Sequence, residues 1–352
     1  MDIAMVTIKD IAQEAGVSRG TVDRVLHGRG RVNAEKAEKI KEIAEKMGYQ
    51  PNIAGRGLAA SKKHIKIGFV YIDDEESPFH RIIYTGAKEY AKELNQFGVE
   101  VIFFAFNRSP SREKGIINDF KDKIGKPEVD GWAVLGTMAD LLKDILEEQG
   151  KGPVPIVVYN MDGECDWKLS YVGCDYVQAG RVACGIVALM TSGGGNICIA
   201  SFDPGCMPSS ELRIKGFEKE IQEKYPRMHV TGRLFLGDFE EFSALSRKIM
   251  EYLKEHEEVD ILYLVNPEDY RICYEISRNP IRNRIKIITN DLVTEEQREM
   301  VRKGDIAVTI CQEPEKQGRK ALEILFNYLA LGIKPESDWY QTELSIQIGQ
   351  NI

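Results

Sequence analysis

Four arginines fall within fifteen residues near the start of the sequence. Arg19, Arg24, Arg29 and Arg31 lie in SRGTVDRVLHGRGRV, Ser18 to Val32, with Asp23 as the one acid among them. A guanidinium is a planar, permanently charged fork of donors, suited to phosphate oxygens and to the paired acceptors on the major-groove edge of guanine. The chain as a whole points the other way, with 47 Lys+Arg against 55 Asp+Glu in 352 residues. The basic charge is local: residues 1–63 hold 12 basic and 8 acidic side chains, and the remainder holds 35 and 47. A basic head on an acidic body implies that only the head meets a polyanion.

Other chemistry finds little support in the residue pattern. The cysteines, Cys165, Cys174, Cys184, Cys198, Cys206, Cys273 and Cys311, are odd in number and show no C-x-x-C spacing. A disulfide framework is not expected, and a reducing, cytoplasmic setting fits. The five histidines are scattered, so no metal site is expected. No G-x-S-x-G, H-E-x-x-H or Walker-type lysine loop occurs, and SGGGN precedes a strand pattern where a phosphate loop would follow one. No catalytic residue and no cofactor is therefore expected, and the chain reads as a non-enzyme.

The elements that must position the arginines follow from caps and apolar spacing. Thr7 precedes a helical pattern with Asp10 three residues on, a capping-box spacing, and Ile8, Ile11, Ala12 and Ala15 share a face. Gly16 ends that helix. Ser18 caps a second, in which Val22, Val25 and Leu26 turn inward and Arg19, Gly20, Asp23 and Arg24 outward. Asn33 caps a third, which Gly48 stops. Two short helices around a glycine turn, closed by a third, make a helix-turn-helix module whose second helix enters the major groove. Arg29 and Arg31 follow that helix and would lie near the DNA backbone.

Beyond residue 63, apolar runs of strand length alternate with helical stretches: IKIGFVYI, VEVIFFAF, VDGWAVLG, VPIVVYN, GNICIASF, VDILYLVN, IKIITND and DIAVTIC. This alternation predicts parallel sheets covered by helices on both faces. Val182–Phe202 lacks charge, but TSGGGN breaks it into a helix end, a turn and a buried strand, so no membrane span is expected. No signal peptide is visible either.

The stretch VTIKDIAQEAGVSRGTVDRVLHGRGRVNAEKAEKIKEIAEKMGYQPNIAGRGLA resembles, without a gap, the head of the LacI (lactose repressor) family of bacterial transcription regulators. The resemblance implies that Arg19, Gly20 and Arg24 occupy base-reading positions, with Thr7, Ser18, Thr21, Arg29, Arg31, Asn52 and Arg56 also at the DNA. Gly20 and Asp23 depart from the residues usual there. Asn52–Ala60 resembles the family's hinge helix, and the resemblance puts Leu58 at the position of a leucine wedge in the minor groove. A two-turn segment with Gly55 and Gly57 is too weak a helix to persist alone and is expected to fold on DNA.

The remainder resembles the sensor domain of the same family, which is similar to periplasmic sugar-binding proteins. SPFH, PIVVYN, YVGCDYVQAGR, SSELRIKGF, YLVN, IITND and TICQEPEKQGRKAL carry the likeness. It implies a head over residues 1–50, a hinge over 51–63 and a two-lobed effector domain over 64–352. The lobes would be about 64–173 with 312–339, and about 174–311 with 340–352. In that fold a ligand lies at the carboxyl ends of the strands, which points to Phe79, His80, Asn160, Arg213, Asn266, Asp291 and Gln312. Asn, Asp, Gln and Arg supply the donors and acceptors that vicinal hydroxyls need. Asn290 beside Asp291, and Met161 after Asn160, depart from common sugar binders.

The reading is a ligand-responsive regulator, a repressor, acting as a homodimer on a pseudo-palindromic double-stranded operator and switched by a sugar, cyclitol or derivative. No terminal leucine heptad is present, so a dimer of dimers held by a coiled coil is not expected. A transport-type binding protein would lack the basic head, and an enzyme of the doubly wound class would show a nucleophile or cofactor fingerprint. A regulator answering to a corepressor, a protein partner or a non-sugar ligand stays open, as do the effector, the operator and the sign of regulation.

Overall fold

The protein is described by a computed structural model covering residues 6–26, 32–47, 63–73, 78–106, 120–124, 128–202, 207–236, 242–266 and 270–352. The head consists of α1 (Ile8–Glu14), α2 (Arg19–Leu26) and α3 (Ala34–Lys46). Each starts at the cap read from the sequence. Thr7 Oγ1 accepts from the Asp10 backbone N–H at 3.4 Å, and Asp10 Oδ2 accepts from that of Thr7 at 2.8 Å, a reciprocal capping box. The Thr7 hydroxyl, which donates to Asp10 Oδ2 at 2.6 Å, and then the Thr7 N–H hold the Asp10 carboxyl below its usual range. Ser18 Oγ accepts from Thr21 N–H, and Asn33 Oδ1 from Lys36 N–H, both at 3.2 Å. Gly16 ends α1 in the left-handed region at φ +65°. Ile11, Ala12, Val22, Val25, Ile40 and Ala44 form the buried core, with Ile8, Ala15 and Leu26 packed on it.

Contacts divide the chain into two compact units. One takes Met1–Ile72, Thr85–Val172 and Gly318–Tyr340; the other takes Asp73–Tyr84, Gly173–Gln317 and Gln341–Ile352. Twelve strands pair among the described residues: β1 (Lys66–Ile72), β2 (Glu100–Phe106), β3 (Gly131–Leu135), β4 (Ile156–Tyr159), β5 (Lys168–Gly173), β6 (Gly194–Phe202), β7 (Arg227–Leu236), β8 (Ile261–Leu264), β9 (Lys286–Asn290), β10 (Val308–Cys311), β11 (Trp339–Gln341) and β12 (Ser345–Gln347). The longer connecting helices are α4 (Pro78–Asn95), α5 (Ala139–Glu148), α6 (Tyr176–Met190), α7 (Pro208–Lys224), α8 (Phe242–Glu255), α9 (Tyr270–Ser277), α10 (Glu295–Lys303) and α11 (Pro314–Leu331). None of the described helices is long and apolar enough to cross a membrane.

One sheet has the order β11-β5-β4-β3-β1-β2 and the other β12-β10-β9-β8-β6-β7. Strands β2, β1, β3, β4 and β5 run parallel, as do β7, β6, β8, β9 and β10; β12 joins antiparallel. In the second sheet, period-two alternation sorts the apolar residues onto two faces. Ile197, Ile199, Ile261, Tyr263 and Ile288 pack with Ala183, Cys184, Val187, Ile214 and Phe217 of α6 and α7. Cys198, Ala200, Leu262, Leu264 and Ile287 pack with Ile249, Leu253, Ile272, Ile276, Met300 and Val301 of α8, α9 and α10. The sheet is therefore buried on both faces, as its nearly continuous apolar strands demand.

Candidate functional site

In the head, the outward face of α2 carries Arg19, Gly20 and Arg24, all exposed, while Thr21 is half-buried; the caps Thr7 and Ser18 are exposed beside them. Val22 and Val25 are buried on the opposite face. Arg24 folds back along the helix, and its Nε donates to the Gly20 carbonyl at 2.9 Å. That contact steadies the side chain and leaves the terminal nitrogens of the fork for other acceptors. Arg29, Arg31, Asn52, Arg56 and Leu58 lie outside the described residues.

In the second unit three of the expected ligand residues meet. Asp291 directly follows β9, Gln312 directly follows β10, and Arg213 lies on α7. Arg213 Nη2 donates to Asp291 Oδ2 at 3.4 Å, with both side chains buried. Gln312 Nε2 donates to the same oxygen at 2.9 Å, and the Gln312 backbone N–H to Oδ1 at 3.1 Å. Asp291 sits in the left-handed region at φ +59°, a conformation that aspartate tolerates better than most residues. Its backbone is held there on both sides: its N–H donates to the Ile310 carbonyl at 2.8 Å, and its own carbonyl accepts from Gln297 Nε2 at 2.5 Å. Burial pushes the Asp291 carboxyl up from its ordinary range, against the opposing pull of Arg213 and the two Gln312 donors. Burial opposes the Arg213 charge most strongly, but Asp291 together with Tyr176, Cys174 and Tyr263 outweighs it and the guanidinium is raised. Arg213 further lies over the Tyr176 ring, 4.8 Å from its centroid. Its Nε finds no acceptor among the described residues.

Asn266, two residues beyond β8, is buried next to the N-terminus of the same helix. Its Nδ2 donates to Ser210 Oγ at 2.8 Å and contacts Met207 Sδ at 3.2 Å, and its Oδ1 accepts from Ser201 Oγ at 3.2 Å. Its amide thus ties the end of β6 to the first turn of α7, one turn before Arg213. Phe79 is buried and His80 half-buried in the first turn of α4, their rings edge to face at 5.8 Å. Both fall in the second unit. Asn160 follows β4 in the first unit at φ +67°; its N–H donates to the Val172 carbonyl at 2.9 Å, and its carbonyl accepts from Tyr171 Oη at 2.8 Å.

The cluster also holds residues that the reading of the sequence passed over. Cys174 Sγ donates to Gln312 Oε1 at 3.1 Å, and Gln317 Nε2 donates to the same oxygen at 3.3 Å. Tyr176, Ser201 and Ser210 complete the surround. A signal for two of them was present: Cys174 and Tyr176 flank Asp175, the N-cap of α6, at the carboxyl end of a strand. That is the same strand-end rule that selected Asp291 and Gln312. The seam between α6 and α7 had a signal too, in Gly180 and Gly216, each of which interrupts an otherwise good helix.

Comparison with known proteins accords with this fold. The family model described as "Periplasmic binding protein domain" matches residues 67–334, and that described as "Bacterial regulatory proteins, lacI family" matches residues 7–52. Catabolite control protein A of Staphylococcus xylosus is 34% identical over 177 residues, 50% of this chain and 50% of its own. The chain spans about half the length of the curated relatives it matches first. Among solved structures, a glucose-galactose binding protein from Geobacillus stearothermophilus superposes with a TM-score of 0.66 at 22% identity, covering 82% of this chain and 98% of the other. A carbohydrate-transporter solute binding protein from Agrobacterium radiobacter, solved with D-arabinose, gives 0.68 at 19%, covering 82% and 95%. At these identities the superpositions establish the fold alone.

Proposed function

The chain belongs to the lacI family of bacterial regulatory proteins and carries a periplasmic binding protein domain, and from that premise we propose that it is a cytoplasmic repressor whose hold on its operator is switched by a small polyhydroxylated effector. The head grips double-stranded DNA through Arg19, Gly20 and Arg24 on α2, with Thr7, Ser18 and Thr21 at the phosphates. Arg29, Arg31, Asn52, Arg56 and the Leu58 wedge act beyond them. A pseudo-palindromic operator presents two half-sites, so the acting species is a homodimer. The effector is gripped by Arg213, Asp291 and Gln312, with Asn266, Phe79 and His80 as further contacts of the same unit.

One observation carries the effector reading: a buried guanidinium whose Nε lacks an acceptor among the described residues, beside a carboxylate of matching charge. An unsatisfied buried donor costs about 1–3 kcal/mol, and a ligand oxygen placed against Nε recovers it. Because Asp291 already neutralises Arg213, a neutral hydroxyl suits the place better than a second anion. Ligand shifts DNA binding only through its differential affinity for two arrangements of the domain.

The test has two stages. Binding-site selection with the full protein should return a two-fold symmetric site with half-sites one helical turn, or a multiple, apart. Neutral monosaccharides and polyols are then titrated while operator binding is followed by fluorescence anisotropy. An effector should release wild type and leave the Asp291→Asn protein on the operator. If no sugar or polyol changes operator affinity, the effector is a corepressor, a protein partner or a ligand of another class. If selection enriches nothing, the regulator reading falls.

A further inference from the structure

We propose that Cys174 is a positioning residue of the effector site, its thiol holding the Gln312 carboxamide in the one orientation that presents a donor to Asp291. The proposal rests on reading the Arg213–Asp291–Gln312 cluster as that site.

A glutamine amide is nearly symmetric in shape, so its orientation is decided by the hydrogen-bonding character of its neighbours. Around Gln312 those neighbours are unequal. On one side Asp291 Oδ2 can only accept while ionised, and Nε2 lies 2.9 Å from it. On the other, two donors converge on Oε1: Cys174 Sγ at 3.1 Å and Gln317 Nε2 at 3.3 Å. Gln317 also reaches the Gln312 carbonyl, at 3.4 Å, and has no exposed surface. Cys174 is buried too, and burial pushes its thiol up to about 12, so the S–H remains a donor throughout the neutral range.

The consequence is specific. Were the amide turned over, its oxygen would oppose the carboxylate, and its N–H groups would oppose the S–H and the Gln317 amide. Asp291 enforces the observed orientation only while it is charged. A hydroxyl that donates to Asp291, or protonation of that carboxyl, weakens the hold from that side. Cys174 and Gln317 keep Gln312 oriented through such changes. They fix what the cluster shows a ligand: Asp291 Oδ1 with spare acceptor capacity, and donors at the second Nε2 hydrogen of Gln312 and at Arg213 Nε. Specificity for a hydroxyl that bridges acceptor and donor is set by a residue that need not touch it.

The S–H stretch reads this contact directly, because few other protein bands lie in its region. The Cys174 band is identified in the full-length protein by infrared difference against Cys174→Ala. It should move to higher wavenumber in Gln312→Met, where the acceptor is gone. In Gln317→Leu, where the competing donor is gone, it should move lower. A band unmoved in both overturns the proposal. Calorimetry with D-arabinose, D-allose and D-fructose as probes gives the second readout. Affinity for whichever sugar binds wild type should fall about 2- to 10-fold in Cys174→Ala, the loss expected for one hydrogen bond, and recover in part in Cys174→Ser. Equal affinity in wild type and Cys174→Ala also overturns the proposal. A shifted band with no sugar bound to any variant supports the Cys174–Gln312 orientation and counts against the effector assignment.

Discussion

Gly180 of α6 lies directly against the backbone of Arg213 on α7: a Cβ placed on Gly180 would fall 1.9 Å from the Arg213 carbonyl oxygen. The contact is reciprocal, since a Cβ on Gly216 would fall 2.0 Å from the Val177 carbonyl oxygen. Two glycines thus let the helices meet backbone to backbone, and the buried guanidinium projects from that seam. Backbone cannot yield as the tip of a flexible side chain can. Gly180→Ala should therefore destabilise the protein by about 1–3 kcal/mol and weaken effector binding together. Urea unfolding and calorimetry on the same sample check this. A variant of unchanged stability would mean that the helices slide apart at no cost.

In the head, glycine has no such excuse. The nearest atom to a Cβ on Gly20 is Ser18 Oγ at 3.9 Å, and the residue is exposed. Gly20→Ala should raise the stability of the head by about 0.5–1 kcal/mol, the usual gain at an unstrained helical position. The head's thermal unfolding within the full protein measures it. Because the methyl group faces the DNA in the proposed mode, binding-site selection should also show an altered preference at one operator position.

Arg24 is held along α2 by its bond to the Gly20 carbonyl. Arg24→Ala should relax base preference at one position of each half-site at a cost of about 1–3 kcal/mol. Arg24→Lys should not restore it, since an ammonium lacks the planar fork. Selection experiments on both variants decide. An unchanged consensus would place α2 in a different orientation on the DNA.

Four thiols give a pH dependence with a definite sign. Burial pushes Cys174, Cys184, Cys198 and Cys311 up from 9.0 to about 12. Between those values the folded state keeps protons that the unfolded chain releases, so stability must fall as pH rises through that window. Each thiol contributes at most about 1.4 kcal/mol per pH unit. Urea midpoints should drop from pH 8 to pH 10, and Cys184→Ala should show a shallower fall. At neutral pH iodoacetamide should label the buried Cys174, Cys184 and Cys198 only after unfolding. Rapid labelling of the native protein would contradict the burial.

What was legible in the sequence was what is written locally. Thr7, Ser18 and Asn33 announce their helices because a capping oxygen bonds a backbone N–H three residues on. The apolar runs announce a parallel α/β fold because strands buried on both faces leave little room for polar residues. The strand-end rule then found Asp291 and Gln312, since ladder bonding stops there and side chains are freed for other work. β7 was missed because it lies at a sheet edge, where exposed Arg227 and His229 alternate with buried Met228 and half-buried Val230. The short edge strands β11 and β12, and β5 beside β11, offered no long apolar run either. Other relationships exist only once the sheet order is set. Cys174 and Gln312 are 138 residues apart, and Arg213 and Asp291 are 78 apart. No local pattern could tell that Asn266 would spend its amide on Ser201 and Ser210, or that Gly180 would find Arg213. Caps and periodicities depend on neighbours a few residues away, whereas those contacts depend on which strands the parallel crossovers bring side by side.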